Sequence, residues 1–219
     1  MPTADRPWDE PLIFPIGHYT GVLHRSVDPP AYHHTVMLGA RVIQLSDPQF
    51  SVWLLARGPQ ESARGVAWTR SHVLVEATAA GVADPARVLA GLVAEGLLVE
   101  TIPDTEHSAE FAESYRLVPL MLGLGNTAEE PWQQGIGFFG RPALTVRSVH
   151  YSLWEWSHVD GDLWTGCHAH ADTAIRAGST DPEQTVPERV LTDFLGALHP
   201  LLASGAACLD LARVREGAA

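Results

Sequence analysis

The sequence predicts an α+β fold, and three stretches carry that expectation. Residues 45–100 read as three short helices followed by a strand, each with start and stop signals in place. Residues 146–174 alternate around Asp160-Gly161, a strong two-residue turn signal, and read as an antiparallel β-hairpin. Residues 187–211 then place Leu191, Phe194, Leu195 and Leu198 at helical spacing, so helices should pack on that hairpin.

Taken in order, residues 1–34 carry Pro7, Pro11, Pro15, Pro29 and Pro30 and read as an irregular arm, with a short strand near Tyr19 to His24. Residues 35–43 favour a strand, with Gly39 as a bulge or twist point. Ser46-Asp47-Pro48-Gln49 has the form of a capping box, and its helix should bury Val52, Trp53, Leu55 and Ala56 before stopping at Gly58-Pro59. Thr69 caps a second helix that closes at Gly81. Asp84-Pro85 opens a third, with Val88, Leu89, Leu92 and Val93 on one face and Gly96 at its end. A strand returns over residues 97–102. The three-helix unit with its flanking strand has the organisation of a winged-helix domain, bounded at residues 35–103.

Residues 103–114 are acidic, a linker or a solvated helix, and mark the boundary to a smaller domain over residues 115–219. There, residues 117–122 read as a strand that Pro119 confines to a sheet edge or breaks. Thr185-Val186-Pro187-Glu188 repeats the capping-box pattern, Pro200 should break or kink the helix it opens, and a last helical piece should run toward Arg213.

Composition narrows the function. The 219 residues include 14 basic ones, all arginine, against 26 acidic ones, for a formal charge of −12. Without lysine there is no P-loop lysine and no Schiff-base lysine. A strongly acidic chain must gather its few arginines on one face to hold nucleic acid, and no such cluster shows in the sequence. Two cysteines, Cys167 and Cys208, are too few for a disulfide framework or a structural zinc set. Met1-Pro2-Thr3-Ala4-Asp5 lacks the features of a signal peptide, and no apolar run is long enough to span a bilayer, so a cytoplasmic protein without a membrane partner is expected. Abundant alanine and arginine without lysine point to a GC-rich bacterial source.

Few residues suggest chemistry. Gly135-Ile136-Gly137-Phe138-Phe139-Gly140 matches GxGxxG, but Arg141-Pro142 follows where a helix should start, so a turn-rich loop is the better account. On the expected hairpin, His168, His170 and Asp172 would share one strand face and could form the first shell of a divalent metal site, with His33 or His34 as a further ligand. The competing account makes them the solvated side of a half-buried sheet. No GxSxG elbow and no electropositive cysteine is present, so nothing argues for an enzyme.

The third helix is poorly equipped to read DNA. With its apolar face buried it exposes Ala86, Arg87, Ala90, Gly91, Ala94 and Glu95, of which Arg87 alone suits base edges or phosphates. The strand before Leu45-Ser46, the Phe50-x-Val52-Trp53-Leu54-Leu55-x-x-Gly58 helix end and Leu89-x-x-Leu92-x-x-x-Gly96-Leu97-Leu98 resemble the PqqD-like family of peptide-recognition domains. The resemblance covers about residues 35–100. It implies that an extended peptide adds a strand to the sheet edge at residues 36–43 and packs on the third helix. Carried over, the peptide-binding residues are Val36, Leu38, Arg41, Ile43, Arg87 and Gly91.

The expected function is therefore a non-enzymatic recognition or adaptor protein, needing no cofactor, that binds a peptide or protein partner, in the setting of natural-product peptide biosynthesis. The alternatives are a winged-helix transcriptional regulator, which would have to form a homodimer to gather its arginines, and a metal-dependent enzyme using the His168, His170 and Asp172 face.

Overall fold

Ser46 N–H donates to Gln49 Oε1 at 3.0 Å, one arm of the expected capping box, and helix α1 (Asp47–Leu55) follows directly. The computed structural model describes residue 8 and residues 10–25, 31–59 and 67–213. Helix α2 (Arg70–Ala79) starts after Thr69, and α3 (Pro85–Ala94) after Asp84. Asp84 sits at φ +48°, a left-handed conformation that aspartate tolerates, and its carboxylate accepts from Arg87 N–H. The predicted faces of α1 and α3 turn inward: Val52 and Trp53 on α1, Ala56 just past its end, and Leu89 and Leu92 on α3 are buried, while Leu55, Val88 and Val93 are half-buried. Strand β5 (Leu98–Thr101) then returns as expected.

The strands around these helices depart from expectation. The N-terminal arm is mostly sheet: β1 (Leu12–Pro15), β2 (His18–Arg25) and the start of β3 (Ala31–Leu38). Pro7, Pro29 and Pro30 lie outside the described residues, while Pro15 ends β1, where a missing N–H costs least. The single strand expected at residues 35–43 is instead a hairpin. Gly39 takes φ +56° and, with Ala40, turns β3 back into β4 (Arg41–Leu45). Positive φ at the first turn residue is the II′ pattern, which glycine adopts without penalty. Strands β2, β3 and β4 form one antiparallel sheet in that order, whereas β5 pairs with β1.

The larger correction falls on residues 146–174. They form not a hairpin but two helices, α5 (Ser148–Trp156) and α6 (Leu163–Arg176), after strands β6 (Tyr115–Pro119), β7 (Leu122–Gly125), β8 (Gln133–Phe138) and β9 (Arg141–Arg147). Asp162 is the N-cap of α6, accepting from Thr165 N–H at 2.6 Å, and Leu163, Cys167 and Ala171 recur every fourth residue on its buried side. The GxGxxG match belongs to β8 and the β8–β9 turn, so it cradles no phosphate through a helix start.

Residues 103–114 contain α4 (Glu106–Ser114), whose Phe111 and Ala112 belong to the same buried cluster as Leu12, Trp53, Leu92, Phe194 and Leu209. One continuous core therefore crosses the expected domain boundary. After a short α7 (Pro182–Thr185), α8 (Pro187–Ala203) buries Leu191, Phe194, Leu195 and Leu198 as predicted. Its N-cap is Val186 rather than Thr185, and it continues through Pro200 because Leu201 and Leu202 are buried beyond it. The expected final helical piece is strand β10 (Ala207–Leu211), paired with β6 and bridged in parallel to Ile16 through Leu209. The fold is α+β, and among the described residues no helix is long and apolar enough to cross a membrane.

Candidate functional site

Strand β4 is the edge of its sheet, pairing with β3 alone among the described residues. The two-residue turn makes Leu38 and Arg41 the closing, hydrogen-bonded pair, so bonding alternates from there along the ladder. Val36–Ile43 is the next bonded pair, and Met37–Val42, between them, is not. The Val42 N–H and C=O therefore face away from β3. Its side chain lies on the outer face with Met37, and the two are 63% and 40% exposed. Natural edge strands are usually blunted by proline, lysine or an inward charge. Arg-Val-Ile-Gln-Leu has only Arg41, at its first position.

The six peptide-site residues divide between three places. Val36 and Leu38 are buried on β3, the central strand, where Val36 is paired on both sides and Leu38 with Arg41. Arg41 and Ile43 lie on the β4 edge. Arg87 and Gly91 are exposed on α3, which packs on α1, α2 and β5, while α1 itself also touches β3 and β4. The strand edge and the third helix are thus linked through α1. What sequence reasoning missed is β4 itself. Gly39-Ala40 between two β-prone runs was the available signal.

Beneath this edge, β3 is locked to α1 by a cluster of rings and a carboxylate. His34 stacks on Phe50 with centroids 3.8 Å apart, its Nδ1 is 3.3 Å from Tyr19 Oη and its Nε2 is 3.4 Å from Asp47 Oδ1. Tyr32 Oη donates to Asp47 Oδ2 at 2.7 Å, and that carboxylate raises the phenol pKa. The arrangement fixes the inner face of the sheet against the first helix, leaving its outer face and edge exposed.

The metal-site residues are not brought together as expected. On a helix each residue advances about 100°, so His168 and His170 are about 200° apart, while His168 and Asp172, four apart, share a face. His168 and Asp172 are exposed; His170 is half-buried, and burial pushes its pKa down. His34 is engaged with Phe50 and Asp47 as described, and His33 faces Leu23 across the β2–β3 ladder. Among the described residues no group of three or more His, Cys, Asp or Glu is placed to hold a metal ion. Both cysteines are buried, and their thiols are pushed up to about 12 chiefly by that burial.

A second polar cluster joins β9, α5 and α8. Asp193 accepts from His150 Nε2 at 2.8 Å and from Arg147 Nη2. Burial pushes the Asp193 carboxyl up, but His150 and Arg147 outweigh it and hold the pKa below the usual value. Its partners use each other, which makes it a strut between elements.

Comparison with known proteins adds no relative. No family model matches the chain, and no curated protein and no solved structure does so either.

Proposed function

We propose that this chain is a recognition or adaptor protein that binds an extended peptide, or an extended segment of a protein partner, by strand addition to the open edge of β4. The observation that carries this reading is the unblunted edge at Val42, with backbone groups directed away from β3 and an apolar outer face beside it. Backbone hydrogen bonds would supply affinity, and Met37 and Val42 would select apolar side chains at alternate positions of the ligand. The exposed part of α3 contributes, in this reading, through Arg87 and Gly91 to a ligand long enough to pass α1.

The test is affinity selection of a displayed random-peptide library, followed by calorimetric titration of the enriched peptides. Val42→Pro removes the outward N–H at a position where β3 needs no bond, so the variant should keep its fold and lose peptide affinity at least about tenfold. N-methylation of alternate peptide nitrogens should do the same in only one of the two possible registers. Equal binding to wild type and Val42→Pro would end the strand-addition reading. Sequence-dependent, salt-sensitive DNA binding in a gel-shift assay would favour a regulator instead.

A further inference from the structure

A groove of about 340 Å³ lies between α5 and α6, far along the chain from the β4 edge and independent of it. Leu153, Trp156, Val159 and Ala169 make its apolar wall. Trp156 and Val159 stand 59% and 61% exposed, so an aromatic face and a branched side chain are offered to solvent at one mouth. The volume is within the range of small-molecule sites, in which mostly apolar walls carry a few oriented polar groups.

Three of the polar groups here have no hydrogen-bond partner among the described residues: the Asp160 carboxylate, the His170 imidazole and the Ser152 hydroxyl. Asp160 is held against the α6 backbone at Gly166, where an added Cβ would lie 3.0 Å from Asp160 Oδ2. That glycine leaves room for the carboxylate to reach into the groove. The neighbouring charges offset it only in part: burial and the Asp162 carboxylate push the Asp160 pKa up, and the His158 ring, bonded through Nδ1 to the Glu155 carbonyl oxygen at 2.7 Å, draws it down by less. A half-buried carboxylate with no donor is costly, and a cation entering the groove would supply what is missing.

We propose that this groove binds an arylalkylamine, its ammonium group on Asp160 and its ring against Trp156 and Leu153. The carboxylate selects the charge, the indole face adds cation–π and stacking attraction, and His170 and Ser152 are placed to accept further N–H bonds. The net charge of −12 draws cations toward the surface and disfavours acids of the same shape.

The experiment is saturation-transfer NMR and calorimetry with tryptamine, using indole-3-propionate as the probe of matching ring and opposite charge. Tryptamine should bind saturably and indole-3-propionate should not. Asp160→Asn should weaken tryptamine at least about tenfold, and Trp156→Ala, at an exposed side chain, should weaken it while leaving the thermal midpoint unchanged. Gly166→Ala should also weaken it by displacing the carboxylate. Non-saturable tryptamine binding, equal binding of the two probes, or affinity unchanged in Asp160→Asn would each overturn the assignment.

Discussion

His199 should make the protein lose stability in mild acid, in a window separable from ordinary carboxylate effects. The side chain is 3% exposed, stacked on Phe14 at 4.6 Å, with Nε2 2.9 Å from the Ile13 carbonyl oxygen. A neutral imidazole with its proton on Nε2 satisfies that carbonyl. Burial pushes the pKa down to about 4, against a smaller opposing effect of the Ile13 bond. Below about pH 6.5 the unfolded chain takes up a proton at this position and the folded chain does not. Stability therefore falls as pH drops from about 6.5 to about 4, and the loss levels off once the folded imidazole also protonates. At about 1.4 kcal/mol for each unit of pH, the gap is worth about 3 kcal/mol. Urea unfolding followed by tryptophan fluorescence from pH 7 to pH 4 measures it, with His199→Gln as the non-titrating reference. Wild type should lose about 3 kcal/mol more than the variant across that range. Parallel curves for the two proteins would refute the reasoning.

Gly17→Ala should destabilise by about 2–3 kcal/mol in the same urea assay, because Gly17 sits at φ +101° and a Cβ would lie 2.5 Å from Val36 Cγ1. Cys167 and Cys208, pushed up to about 12, should react with a water-soluble disulfide reagent only at the rate of unfolding. Rapid native labelling of either thiol would contradict their placement. Zinc titration of the protein purified without a histidine tag should give the same isotherm for wild type and a His168→Ala, His170→Ala double variant, since α6 directs the two rings apart. A clear loss of zinc in the double variant that neither single variant shows would contradict this placement.

Much of the N-terminal half was legible because its punctuation is local. Ser46 with Gln49, Asp84 with Pro85, and Gly96 fix helix ends through bonds within one turn, and those ends agree with the structure. The residues 163–176 were misread because Cys-His-Ala-His-Ala-Asp alternates in polarity while also placing Cys167 and Ala171 four apart. Both periods fit, and the wider run from Leu163 to Ala171 decides for helix. Residues 206–209 are all buried, and a short, wholly apolar run has no period to distinguish strand from helix. Strand β4 was hidden for a different reason. Its existence depends on Gly39 turning the chain, and a glycine within a strand-like run signals a bulge as readily as a hairpin. The groove residues lie on two helices and the turn between them, where the sequence reads as a hairpin, so Asp160, Trp156 and His170 are not grouped by their spacing.

Strand β10 has a consequence for how the protein comes into being on the ribosome. The N–H of Gly39, in the β3–β4 turn, donates to Asp210 Oδ1 at 2.7 Å, a contact across 171 positions, and Gly17 N–H donates to the Leu209 carbonyl. At about 5–20 residues per second, translation leaves those groups waiting roughly 10–40 s for their acceptors to be made. Throughout that interval the β2–β3–β4 sheet stays exposed, with its seam to β10 incomplete. A nascent chain of this design therefore cannot close the seam between the β2–β3–β4 sheet and the rest of the core until β10 has been made.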